Sequence, residues 1–319
     1  MELIPDTHIN WLKYRWYFIG FSALVLALGV ADILRRGGLR YGIDFSEGTI
    51  VYAKFQNPPE IDRIRQSLSG SELGEAVIQR YDRPENNLVM IRVERREGDT
   101  SDLDAAANRI LTTLKQGYSA NPLVGSSTEI VGPVVGAELR KKALYATLLS
   151  LVAMLIYIGL RFQFIYGVAA TVAVFHDVLL TLGLVSIFNY EITLNVIAAF
   201  LTLVGYSVND TIVIFDRVRE NQKNLRQQSL FELINLSINQ NVRRTLLTAG
   251  TTFLSVLALY LWGGEVLRGF SFVLVVGIIV GTYSTLAIAS PVVIWWRQWR
   301  EGKETAGQKS KAAAKAAQA

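Results

Sequence analysis

IYGVAATVAVFHDVLLTLGLVSIF, residues 165–188, is separated by a short connection from ITLNVIAAFLTLVGYSVNDTIVIF, residues 192–215. A helix needs roughly 20 apolar residues to cross a hydrocarbon core of about 30 Å, and both segments meet that length. Apart from Tyr166 and Tyr206, their ionisable side chains are His176, Asp177 and Asp210. The two segments therefore predict neighbouring membrane helices joined by a tight loop.

Four further apolar runs lie outside this pair, at residues 17–34, 143–160, 246–262 and 270–296. Hydrophobic residues make up 51% of the chain, a fraction that soluble proteins also reach. The long uncharged runs, and not the composition, therefore indicate a membrane protein. The predicted fold class is an α-helical polytopic membrane protein with six transmembrane helices.

The first run also resembles a signal peptide, because Gly29-Val30-Ala31 would suit a signal peptidase. Its apolar stretch is longer than the 7–15 residues typical of a signal peptide. We interpret residues 17–34 as a retained membrane anchor.

Residues 35–142 have the pattern of a soluble domain, placed outside the membrane between the first and second helices. Short runs of alternating or β-branched residues predict strands, and two segments with apolar residues at helical spacing predict helices. The predicted order is strand, helix, strand, strand, helix, strand. This order indicates a ferredoxin-like α+β domain.

The charged residues predict the orientation of the chain. Basic residues concentrate in the connection 216–245, predicted as a cytoplasmic loop or amphipathic helix, and in the tail 297–319. Because basic loops stay in the cytoplasm, we expect the N-terminal residues 1–16 and the tail to be cytoplasmic. The net charge of +5 is explained by this bias, so we expect no nucleic acid partner.

The sequence lacks the residues and motifs on which several classes of enzyme depend. Cysteine is absent, the only histidines are His8 and His176, and neither a phosphate-binding P-loop nor a Gly-x-Ser-x-Gly elbow occurs. We therefore expect no catalytic activity, no cofactor and no metal site.

Asp210 and Arg244 are the main candidates for chemistry within the membrane, where charged residues are costly. At 1.5 Å per residue, Asp210 lies about 27 Å from the outer start of its run, and Arg244 lies about 27 Å from the outer end of its own. The two could therefore pair. Burial favours a neutral carboxyl group and a nearby cation favours the ionised form, as a proton carrier requires.

Structural alternatives remain open for these residues. Arg244 follows Arg243 at a helix end, so both could extend to lipid phosphates. Asn209 and Asp210 could instead form hydrogen bonds between helices. Asp177 and its neighbour His176 could be a second relay group or a structural polar contact.

Gly277 and Gly281 form a GxxxG pattern in the last run, which is typical of closely packed membrane helices. The spacing does not say whether the partner helix belongs to this chain or to another protein.

The sequence resembles the SecF proteins of the SecD/SecF protein-export family over nearly its whole length. The matching motifs are YGIDF (41–45), VGPVVGAEL (131–139), HD (176–177), GYSVNDT (205–211), FDRVREN (215–221) and RT (244–245). Glu47 departs from the pattern, since we expect glycine there in this family.

The resemblance implies half of an RND-type bundle in a bacterial inner membrane, paired with SecD. It further implies that the complex works with SecYEG, SecA and YajC on unfolded exported polypeptide, driven by the proton-motive force. The membrane Asp and Arg of the family match Asp210 and Arg244. The alternatives are half of a small-molecule efflux transporter, or a passive scaffold.

Overall fold

The structure of the chain is a computed structural model. It describes residues 7–42, 44–45, 48–69, 76–81, 84–94, 103–131, 133–161, 164–225, 227–300 and 302–303. Glu47, where the sequence departs from the family pattern, lies outside these residues.

Within the described residues, six helices are long and apolar enough to cross a membrane. They are α1 (Arg15–Arg35), α4 (Pro133–Arg161), α5 (Phe164–Ile187), α6 (Leu194–Asn224), α7 (Leu230–Trp262) and α8 (Glu265–Ser284). The predicted polytopic fold class is confirmed. After α8 the chain forms one π-helical turn, Thr285–Ala289, and continues as helix through 290–300.

The helices extend beyond the apolar runs that revealed them. Helix α4 begins at Pro133, inside the segment 35–142 assigned to the soluble domain, because proline is well suited to the first turn of a helix. The connection 216–245 is mostly helical as well. Helix α6 continues to Asn224, and a capping box between Ser229 and Glu232 starts α7.

The soluble domain contains one antiparallel sheet covered by two helices. Its elements are β1 (Gly48–Phe55), α2 (Ile61–Ser69), β2 (Ala76–Tyr81), β3 (Leu88–Glu94), α3 (Leu103–Gly117) and β4 (Leu123–Val131). The strand order in the sheet is β2-β3-β1-β4, so the predicted ferredoxin-like arrangement is confirmed.

The core of this domain follows from the alternation of strand side chains. Val51, Ala53 and Phe55 lie on one face of the central strand β1 and are buried. They belong to the same hydrophobic core as Ile64 of α2 and Ile110 of α3. Because the chain has no cysteine, this core holds the domain together without disulfides.

The membrane helices form an inner and an outer group. In the most apolar stretch of each span, 50% of the residues of α5, 50% of those of α6 and 61% of those of the span that includes α8 are buried within the chain. In α1, α4 and α7 the buried share is 11% each. Gly277 and Gly281 of α8 face Leu203 and Ser207 of α6, and a Cβ added at Gly277 would come within 2.5 Å of the Leu203 side chain. The inner helices therefore pack closely and position the polar side chains they carry.

Candidate functional site

Asp177 is the most enclosed carboxylate among the described residues of the spans, with no exposed surface. Its Oδ2 accepts hydrogen bonds from Ser207 Oγ of α6 at 2.5 Å and from Ser284 Oγ of α8 at 2.8 Å. Its Oδ1 lies 2.9 Å from His176 Nδ1. Buried polar groups need such partners, so this cluster joins the three inner helices.

The polar cluster extends into α8 and α1. Thr211 and Thr285 share a hydrogen bond of 2.9 Å, and Thr285 begins the π-helical turn directly after Ser284. Tyr283 stacks edge-on against His176 and hydrogen-bonds Ser22 of α1 at 2.9 Å. The π-helical turn therefore lies in the same polar layer as Asp177, and such turns are frequent at functional sites.

Asp210 lies one turn beyond Ser207 on α6 and is 5% exposed. No hydrogen bond or ion pair within 4.0 Å joins its side chain to another described residue, although the positive charge of Arg244 acts on it electrostatically. Arg244 itself is exposed on α7, and Asn209 is exposed on α6. The structure thus places Asp210 inside the bundle and the other two side chains on its surface.

The N-terminal end of α6, which we call its outer end because it lies next to the soluble domain, is hydrogen-bonded to the segment that leads into that domain. Gly42 N donates to Ile192 O and Ile192 N donates to Arg40 O, both at 2.7 Å. Asp44 Oδ2 accepts from Leu194 N, also at 2.7 Å. Because Leu194 begins α6, its N–H has no acceptor within the helix, and Asp44 supplies one.

An ion pair reinforces this outer junction. Arg92 of β3, with a side chain 5% exposed, places Nη1 3.0 Å from Glu191 Oε2, and Arg40 approaches the other Glu191 oxygen at 3.4 Å. Glu191 lies in the short loop between α5 and α6. The sheet of the soluble domain is therefore attached to the membrane bundle at the start of the helix that carries Asp210.

A cavity of about 420 Å³ opens beside the junction, between the sheet and the outer loops. Its lining includes Tyr52, Tyr81 and Tyr190. Burial and the nearby Glu129 raise the pKa of Tyr52, and burial with a hydrogen bond to Tyr260 raises the pKa of Tyr190 to about 12. Tyr52 and Tyr190 are thus neutral at physiological pH.

The sequence alone identified Asp177 and His176 as candidates. It did not identify Ser207 and Ser284 as the partners of Asp177, or Asp44 as the acceptor for Leu194 N. Ser207 and Asp44 lie within the quoted motifs, which gave them no role. Ser284 lies in the run Thr282-Tyr283-Ser284-Thr285, a cluster of hydroxyl side chains in an otherwise apolar helix that could have drawn attention to it. Asp210 and Arg244 remain predicted relay residues.

Comparison with known proteins places the chain among export proteins. A family model described as protein export membrane protein SecD/SecF, C-terminal, matches residues 112–299. The SecF translocase subunit of Koribacter versatilis is 39% identical, with 96% of each chain covered. That of Desulfurispirillum indicum is 41% identical, covering 91% of this chain and 92% of the relative.

A solved structure gives the same result. The crystal structure of SecDF from Thermus thermophilus, a translocon-associated membrane protein, matches with a TM-score of 0.79 and 35% identity. The match covers 93% of this chain, which spans 40% of the length of that solved chain. The resemblance read from the motifs is confirmed.

The hydrogen bond from Leu194 N to Asp44 gives a first prediction. Asp44→Ala removes this acceptor and leaves the N-cap Thr193 in place, and loss of an acceptor at a helix N-terminus costs about 0.5–2 kcal/mol. We expect amide hydrogen exchange in the first turn of α6 to accelerate roughly 2- to 30-fold, as mass spectrometry of the full chain would show. Asp44→Asn keeps a side-chain oxygen and is the matched control. Equal exchange in wild type and Asp44→Ala would mean that this contact does not hold the junction.

Proposed function

This chain belongs to the SecD/SecF family of protein export membrane proteins, among its SecF translocase subunits, and we propose that it uses the proton-motive force to complete export. In this proposal Asp210 carries the proton and Arg244 is its charge partner. The chain performs no catalysis of its own and couples proton movement to a change of shape.

The proposal rests on the environment of the Asp210 side chain. Its carboxyl group is buried in a membrane helix, and no described side chain donates a hydrogen bond to it. Burial favours the neutral group, whereas the charge of Arg244 favours the ionised one. A carboxyl group under two opposed influences, and not fixed by donors, is suited to exchange a proton in each cycle.

The outer junction supplies the mechanical link. The hydrogen bonds of Gly42 and Asp44 attach the start of α6 to the chain entering β1, and Asp210 lies on the same helix. A helix transmits a shift or tilt along its length because its backbone is internally hydrogen-bonded. Movement of α6 on proton uptake would therefore reach the soluble domain directly. The proton must bias a two-state element, and we propose that α6 with this junction is that element.

The exposed face of α6 and α7 supports a membrane partner. Small and polar residues are exposed along one stripe of each helix: Asn195, Ala198, Thr202, Gly205 and Asn209 on α6, and Arg244, Thr248, Thr251 and Ser255 on α7. Polar groups are costly against lipid, and small residues allow close helix packing. We propose that SecD covers this face and completes the enclosure of Asp210.

The remaining partners follow from the family. We propose that the complex acts in a bacterial inner membrane with SecYEG, SecA and YajC, on unfolded exported polypeptide. Both chain ends are then cytoplasmic, since the basic residues around Arg217 and Arg243 and those from Arg297 onward lie at the same ends of the helices. The soluble domain is on the opposite side, where exported chains emerge.

The proton role is tested by Asp210→Asn, which keeps the size of the side chain and removes its charge. We expect the variant to assemble with SecD but to lose at least nine-tenths of the late export that depends on the proton gradient in membrane vesicles. Asp216→Asn, at an exposed position of the same helix, is the matched control and should export as wild type does. Gradient-dependent export at the wild-type level in Asp210→Asn would indicate a passive scaffold.

The partner face is tested by Gly205→Leu. A Cβ at Gly205 meets nothing within 4 Å inside this chain, so the substitution should leave the chain itself folded. It should reduce co-purification with SecD at least tenfold, because the new side chain occupies the space of the partner helix. Gly159→Leu on α4, also with no neighbour within 4 Å, is the control and should bind SecD normally. Equal recovery of SecD with both variants would place the interface elsewhere.

A further inference from the structure

The cluster around Asp177 is not used by the proposed relay, yet it contains two titratable side chains side by side. The Asp177 side chain is fully buried and that of His176 is 9% exposed. Imidazole Nδ1 lies 2.9 Å from the carboxylate, whereas the buried Nε2 has no hydrogen-bond partner among the described residues. A purely structural pair would be expected to satisfy both ring nitrogens.

The His176–Asp177 pair has two protonation states that differ by one proton. A neutral imidazole carries one N–H, and here Nδ1–H can donate to the Asp177 carboxylate while Nε2 is a bare acceptor. That state leaves one negative charge buried among membrane helices, which is costly. Adding one proton removes the net charge. On Nε2 that proton would create a buried donor without an acceptor, so the carboxyl group is the better position for it.

We propose that Asp177, supported by His176, is a second proton-binding site, and that Ser207 and Ser284 respond to its charge. In the ionised state both serine hydroxyls donate to Oδ2. When a proton binds Oδ2, that oxygen becomes a donor. One serine hydroxyl must then rotate and accept, so a bond that ties α5 to α6 or α8 reverses its direction.

The position of this switch links it to the relay. Ser207 precedes Asp210 by three residues, about 4.5 Å along the axis of α6. Ser207 from α6 and Ser284 and Tyr283 from α8 contact the cluster, and Ser22 of α1 joins it through its bond to Tyr283. The next charged residue along α6 is Asp210. The π-helical turn that follows Ser284 gives α8 a local irregularity where such a change can be absorbed. The link to export rests on the proposed function of Asp210, whereas proton binding at Asp177 does not.

Infrared difference spectroscopy tests proton binding directly. The full chain in complex with SecD is titrated between about pH 5 and pH 9, and the carbonyl stretch of protonated carboxyl groups is recorded. We expect a titrating band that is lost in Asp177→Asn and retained in Asp210→Asn. Absence of any band that depends on Asp177 over this range would overturn the proposal.

Two conservative variants keep the test valid if Asp177→Asn fails to fold. Ser207→Ala and Ser284→Ala retain the carboxyl group but each removes one hydrogen bond to Oδ2, so the band should move to higher wavenumber in both. Ser290→Ala is the control, because Ser290 is equally buried but bonds the backbone oxygen of Thr285. A band that does not move in either serine variant would contradict the assigned contacts. Loss of export in Asp210→Asn with an unchanged Asp177 band would support both proposals separately.

Discussion

A carboxylate cannot be left facing hydrocarbon, and the arrangement of this bundle depends on that constraint. Asp177 and Asp210 lie on the neighbouring helices α5 and α6, and both side chains are buried. Of the outer helices, α1 and α4 present mainly apolar residues, whereas α7 also exposes Arg244 and a stripe of hydroxyl side chains. The enclosure of two acidic groups therefore explains which helices are central and why their contacts involve serine, threonine and glycine.

The two acidic groups are enclosed in different ways, and the difference separates their roles. Asp177 is surrounded by donors from three helices, which ties those helices together. Asp210 has no such donors among the described residues and interacts with Arg244 through charge alone. In the two proposals, a proton at Asp177 redirects hydrogen bonds between helices, whereas a proton at Asp210 changes an interaction with Arg244 that acts through charge. Because Ser207 and Asp210 lie about one turn apart on α6, a change at either site reaches the other through one helix.

Long apolar runs, turn residues and helical spacing were enough to predict six membrane helices and the ferredoxin-like domain. The ends of α4, α6 and α7 were not predictable from hydropathy, since apolar runs mark the edge of the hydrocarbon and the polar helical turns continue beyond it. Depth along the helix placed Asp210 and Arg244 at the same level. The rise per residue does not show how each helix is rotated about its axis. It could therefore not predict that the Arg244 side chain is exposed on α7 while that of Asp210 is buried.

The partners of Asp177 show a second limit of sequence reasoning. Ser207 and Ser284 are 30 and 107 residues away in the chain, and their approach depends on the order and rotation of α5, α6 and α8. Asp44 lies in a motif, but its role as the acceptor for Leu194 N depends on how the soluble domain is attached to the bundle. Contacts between distant elements are set by packing, which local patterns do not encode.

We propose that proton binding at Asp210 moves the soluble domain relative to the membrane helices. The most direct measurement is the distance between spin labels at Val124→Cys on β4 and Trp262→Cys at the outer end of α7, both exposed positions in a chain without native cysteine. In the complex with SecD, the distance distribution should change between high and low pH for the wild-type background. It should stay at the low-pH distribution in Asp210→Asn at every pH. A pH-dependent shift that persists unchanged in Asp210→Asn would contradict the account.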